Sequence, residues 1–260
     1  MEGNSCKNRI PAEAAALLDE LSTKLPSLLA GNLVGIYLYG SMTNSSFNPR
    51  RSDIDCIVVT RRDPGETQFR KLDKWLKQTE AANSWTKRLQ MSFLVKDELL
   101  RMNSSGAIYQ FGILRRCGSD GNPIIWLDHL RRRRVLFGPP AESFLPEIST
   151  EILSAALQRE LGYLREELCE KPESEWRDVP MYRAYAVLTV CRILYSWEKR
   201  TVVSKPVAAK WILKNLTDRW SRIIHQALDF NKSGQETEIS LTHIQRFVKF
   251  AERKCATSQQ

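Results

Sequence analysis

The chain has 260 residues, a formal net charge of +9, 42% hydrophobic and 27% charged residues, a length that buries a core without staples and excludes a mini-protein. No apolar run is long enough to cross a bilayer, and the start, MEGNSCKNRIPAEAAALLDEL, lacks the basic segment and apolar core of a secretory signal. A cytoplasmic, non-membrane protein is therefore expected, and the excess of positive charge suits anionic partners such as nucleotides.

In chain order, Ala15, Leu18, Leu21 and Leu25 recur at helical spacing and predict an amphipathic helix over 11–29. LVGIYLYG, 33–40, rich in β-branched and aromatic residues and closed by glycine, predicts a strand. A short helix is expected after Gly40, then a second strand over 53–60, a helix over 66–82 and a third strand over 88–95. GAIYQFGIL and GNPIIWL are read as short strands or extended segments. HLRRRRVLF, 129–137, reads as the solvated end of a basic helix, with a nucleic-acid patch as the weaker alternative.

The segment 136–149 carries Gly138, Pro139, Pro140 and Pro146 and reads as a linker. Beyond it, helical spacing over 150–168, 180–197, 205–216, 219–230 and 240–256 predicts a helical bundle. The fold class expected is thus α+β followed by all-α: a small mixed sheet with helices over 1–140 and a C-terminal helical bundle over 141–260. Cys6, Cys56, Cys117, Cys169, Cys191 and Cys255 are scattered, with no C-x-x-C pair, so reduced and mostly buried thiols are expected.

The stretch YGSMTNSSFNPRRSDIDCIVV, 39–59, concentrates the chemistry. Asp53 and Asp55 are two apart on an extended chain, so both side chains leave one face with Cα atoms about 6.5–7 Å apart. Like charges that close raise each other's pKa unless a cation lies between them, and Mg²⁺, held by one or two carboxylates plus substrate phosphates, is the cation that fits. A D-x-D alone is more often just a strand entrance. Gly40 and Ser41 change the weighing: glycine lets a phosphate approach the backbone, free N–H groups at a helix start attract an anion, and the serine hydroxyl adds a donor.

G-S, a spacer and D-x-D in strand–helix–strand context resemble the polymerase-β-like nucleotidyltransferases. VLTVCRILYSWEKRTVVSKPVAAKWIL, 187–213, is similar to the C-terminal helical domain of the streptomycin/spectinomycin adenylyltransferases. The resemblance implies transfer of AMP from ATP to a hydroxyl of a small molecule, possible acceptors being aminoglycosides, with Mg²⁺ as cofactor and the helical domain closing over nucleotide and substrate. It implies that Gly40 and Ser41 hold phosphates, that Asp53 and Asp55 hold metal, and that Arg192 and Lys205 bind the triphosphate. A monomer is expected.

The chain also departs from that family. The position of the family's catalytic glutamate is Gln90, whose amide cannot accept a proton, and loss of general-base help typically costs about 10²–10⁴ in rate. Asp97 and Glu98, beyond the end of that strand, are poorly aimed substitutes. After Gln110-Phe111-Gly112 a family tryptophan is replaced by Leu114, and Tyr182 and Tyr185 stand where relatives carry aspartate and histidine. Glu166, Glu167, Glu170, Glu173 and Glu175 are concentrated around Trp176 and Asp178, the equivalents of the family's streptomycin-holding tryptophan and aspartate. Two other readings stay open: a nucleotidyltransferase acting on protein or RNA, and a catalytically weakened nucleotide-binding relative.

Overall fold

A computed structural model describes residues 10–101, 106–116, 122–216, 218–234 and 238–257. It divides into two compact units, the first ending at Glu147 and the second beginning at Ile148. Cys6 and Cys117 lie outside the described residues.

The first unit runs α1 (Ala12–Leu29), β1 (Leu33–Tyr39), β2 (Ile54–Thr60), α2 (Glu66–Ala82), β3 (Leu89–Val95), β4 (Gly106–Gln110), β5 (Ile113–Arg116), α3 (Pro123–Arg132) and β6 (Arg134–Phe137). The strands form one mixed sheet in the order β5-β4-β3-β2-β1-β6; β2 and β3 are parallel and every other neighbouring pair is antiparallel. Ala14, Leu17, Leu18, Leu21, Leu25 and Leu29 form the buried stripe of α1, and each buried leucine contributes about 1.5–3 kcal/mol relative to exposure.

Strand alternation decides which side chains that stripe meets. Ile54, Cys56 and Val58 of β2 and Leu89, Met91 and Phe93 of β3 belong to the same core cluster as α1 and α2. Asp55 and Gln90, one residue out of phase, therefore leave the opposite sheet face. On that opposite face Tyr37 packs against Trp126 and His129 of α3, with ring centroids 5.8 and 5.1 Å apart.

Three segments differ from their sequence reading. GNPIIWL is not extended: Asn122 accepts from the Ile124 amide at 3.0 Å and Pro123 occupies the first turn of α3, an N-cap and proline pair that pre-organises a helix. The basic run is a helix end only as far as Arg132; Arg133 takes φ +51° and the chain returns as β6 against β1. The supposed linker also carries structure, since Tyr37 donates to the Pro139 carbonyl at 2.9 Å, Ala141 is fully buried, and the Phe144 ring lies 5.7 Å from Tyr37.

The second unit is helical throughout, as expected: α4 (Thr150–Arg165), α5 (Pro180–Lys199), α6 (Lys205–Asn215), α7 (Ser221–Ser233) and α8 (Leu241–Thr257). Buried residues occur on every side of α5, from Ala184 to Trp197, which makes it the central helix of the bundle. It packs against α4, α6, α7 and α8. A π-type turn, Glu166–Glu170, ends α4, and a single 3₁₀ turn, Glu175–Arg177, precedes α5. Among the described residues no helix is long and apolar enough to cross a membrane.

Candidate active site

The antiparallel pairing of β1 with β2 sets Tyr39 opposite Asp55, and the parallel pairing of β2 with β3 sets Asp55 opposite Gln90. Asp53, Asp55 and Gln90 thus share one end and one face of the sheet, beside the turn that follows β1. Gln90 Nε2 donates to Asp53 Oδ2 at 3.0 Å. The side chain at the expected base position is therefore engaged with the carboxylate pair as a hydrogen-bond donor. Asp97 and Glu98 lie in the turn after β3, about 20 Å farther along the strand at 3.3 Å per residue, too far to replace it.

Burial raises the pKa of Asp53; Arg88 and the Gln90 amide lower it and only partly offset that rise. The sequence reading missed Arg88. Its guanidinium stacks 4.0 Å over the Trp85 ring and donates to the carbonyls of Pro49 and Ser52, which ties the loop before β2 to the start of β3. Arg88 ends a 3₁₀ turn, Ser84–Arg88, just before β3, so strand parity could not have placed it beside the aspartates.

Gly40 adjoins the pair directly: a Cβ there would lie 2.3 Å from Asp55 Oδ2. The helix expected after Gly40 is only one 3₁₀ turn, Ser41–Thr43, too short for a macrodipole to develop. The Gly40 amide, expected to face phosphate, donates instead to Asp128 Oδ2 at 2.8 Å. Thr43 Oγ1 and Asn44 Nδ2 both donate to the Gly40 carbonyl at 2.8 Å.

Residues 16–106 match the family described as "Nucleotidyltransferase domain", and residues 143–256 match "Aminoglycoside adenylyltransferase, C-terminal domain". The first unit thus matches a nucleotidyltransferase domain, and the second matches the C-terminal domain of the aminoglycoside adenylyltransferases. A spectinomycin 9-adenylyltransferase of Campylobacter jejuni is 24% identical over 215 residues, covering 77% of this chain and 79% of that protein. The crystal structure of a spectinomycin adenyltransferase, AAD(9), of Enterococcus faecialis with ATP and spectinomycin has the same fold, with a TM-score of 0.72 at 16% identity over 93% of this chain and 99% of that one.

In the second unit of this adenylyltransferase relative, the structure gathers several of the remaining residues. Trp176 stacks on Tyr182 with centroids 5.3 Å apart and meets Tyr185 and Tyr163 edge-on at 5.6 and 5.5 Å. Lys205 Nζ lies 3.0 Å from the centroid of the Tyr185 ring, a cation–π contact. Arg192 Nη2 bonds Glu160 Oε1 at 3.0 Å, both side chains being mostly buried.

The acidic segment is partly self-neutralised, because Lys171 pairs with Glu166 and Glu167 at 2.8 and 3.0 Å and Arg165 with Glu170 at 3.0 Å. Glu173, Glu175 and Asp178 are exposed and form no ion pair among the described residues. Leu114 is a correction: it pairs with Tyr109 and belongs to the core cluster beneath α1 and α2, on the face opposite Asp55, with 8% exposure. Alternation along β5 turns it away from the carboxylates and leaves it almost no surface for a substrate.

Proposed function

We propose that this chain is an ATP-dependent O-adenylyltransferase that passes AMP to a hydroxyl of an aminoglycoside such as spectinomycin or streptomycin and releases pyrophosphate. The observation carrying the proposal is the junction of Asp53, Asp55 and the Gly40–Ser41 turn at one end of the sheet, in a chain related to enzymes of that name.

Asp53 and Asp55 fit Mg²⁺, which takes oxygen ligands and leaves part of its shell to substrate phosphates, and the half-buried Asp53 carboxylate would be relieved by a cation. Bound there, the ion would neutralise phosphate oxygens and orient the reacting groups. Ser41 would donate to the phosphates. The resemblance assigns Arg192 and Lys205 to the triphosphate, so they would leave Glu160 and Tyr185 for phosphate oxygens.

Trp176, Tyr182 and Tyr185 would offer ring faces to the acceptor, and Asp178 a carboxylate to its ammonium groups. Gln90 would hydrogen-bond and orient but would not take the hydroxyl proton, so slow turnover is expected. Work in the cytoplasm agrees with the free thiols of Cys56, Cys169, Cys191 and Cys255.

The protein with ATP, Mg²⁺ and spectinomycin or streptomycin should release pyrophosphate, and Asp53→Ala should abolish the release. Intact ATP binding without turnover on either antibiotic would remove the aminoglycoside from the proposal. Labelled AMP on a protein or RNA band would replace it with a macromolecular acceptor.

A further inference from the structure

Each backbone group of Gly40 is held. Its φ of +72° and ψ of −156° lie where essentially only glycine is found. Its carbonyl is taken by Thr43 and Asn44, and its amide by Asp128, an α3 carboxylate only 8% exposed. One N–H makes one good hydrogen bond, so this amide is withdrawn from any anion on the turn.

A carboxylate buried without an ion pair among the described residues is costly to keep, but its bond to an amide is shorter and stronger than a neutral one. The next residue acts on the same strand end: His129, fully buried, bonds the Leu38 carbonyl through Nδ1 at 2.8 Å. Two adjacent α3 side chains thus clamp β1 on either side of Tyr39, where the chain enters the turn.

We infer that Asp128 is a positioning residue of the nucleotide site, a conclusion that rests on the nucleotide reading given above. By holding the Gly40 amide it fixes the Tyr39–Gly40 peptide and makes Ser41 the first donor the turn offers to a triphosphate, since the Thr43 and Asn44 amides bond the Gly40 and Ser41 carbonyls at 3.3 and 3.1 Å. The group that orients the phosphate turn therefore comes from a helix 88 positions away in the chain.

The test compares Asp128→Ala, Asp128→Asn and Asp128→Glu by calorimetric binding of ATP with Mg²⁺, by hydrogen exchange at the Gly40 amide and by thermal melting. Asp128→Ala should expose the Gly40 amide to exchange and weaken ATP binding about ten-fold or more, the scale of one charge-assisted hydrogen bond. Asn, which keeps an oxygen acceptor, should restore protection and most of the affinity. Should the alanine variant not fold, Asp128→Glu, with the carboxylate displaced by one methylene, carries the same expectation of weakened binding in a folded protein. Wild-type ATP affinity in a folded Ala or Glu variant, or a protected Gly40 amide in Asp128→Ala, would overturn the inference. Failure of the wild-type protein to bind ATP would instead overturn the nucleotide reading, and the inference with it.

Discussion

Burial makes Asp53 a harder acid to ionise than an ordinary aspartate, and Arg88 and Gln90 return only part of that cost. Its folded pKa lies above the ordinary 3.8, so the folded state keeps this proton longer than the unfolded chain does. Stability tied to Asp53 is therefore highest below the ordinary aspartate range and falls as pH rises through that range to the raised value. Asp53→Asn should remove the penalty, raising stability by about 0.5–2 kcal/mol, the usual gain from relieving a strained functional site. Melting curves against pH should show the gain near neutrality and its disappearance in acid. Gln90→Glu tests the base position: it removes the donor to Asp53, adds a like charge, and should lower metal-free stability while raising kcat by about 10²–10⁴ if general-base help is what is missing. Lowered stability with unchanged kcat would indicate that another group takes the proton.

At the scale of elements, α1, α2 and the first three strands are legible because each carries its own periodicity over enough residues to show it. α3 and β6 are not. IIWL at the front of α3 is an apolar run that suits a strand as well as a helix. What decides it is the Asn122 cap, and Asn122→Ala should cost about 0.5–2 kcal/mol in a thermal melt. RVLF is too short to declare itself and becomes β6 because β1 offers an open edge. The turn after Gly40 stops at one 3₁₀ turn, with Thr43 and Asn44 side chains capping the Gly40 carbonyl. These are short polar side chains, which compete with continued helix by bonding nearby backbone.

For the molecule as a whole, each unit has its own core. In the second, Leu157, Leu161, Val187, Ile193, Phe247 and Val248 are buried within the bundle. A fragment spanning 148–260 is expected to be helical by circular dichroism and to melt cooperatively; a non-cooperative melt would show that this core does not stand alone. The arginine run is divided between elements: Arg131 and Arg132 end α3, Arg134 opens β6, and Arg133 pairs with Glu142 at 3.1 Å.

The sequence by itself determined the order of sheet and bundle, the strand entrance carrying Asp53 and Asp55, and the replacement of the expected glutamate by Gln90. The first two are local properties, set by periodicity and by the two-residue repeat of an extended chain, and the third is what the family resemblance implies. Only the tertiary structure decided what the carboxylates face: Gln90 donating to Asp53 across 37 positions, Asp128 taking the Gly40 amide across 88, and Leu114 turned into the core. Strand register and helix docking are settled by burial over the whole unit, and no short stretch of residues encodes them.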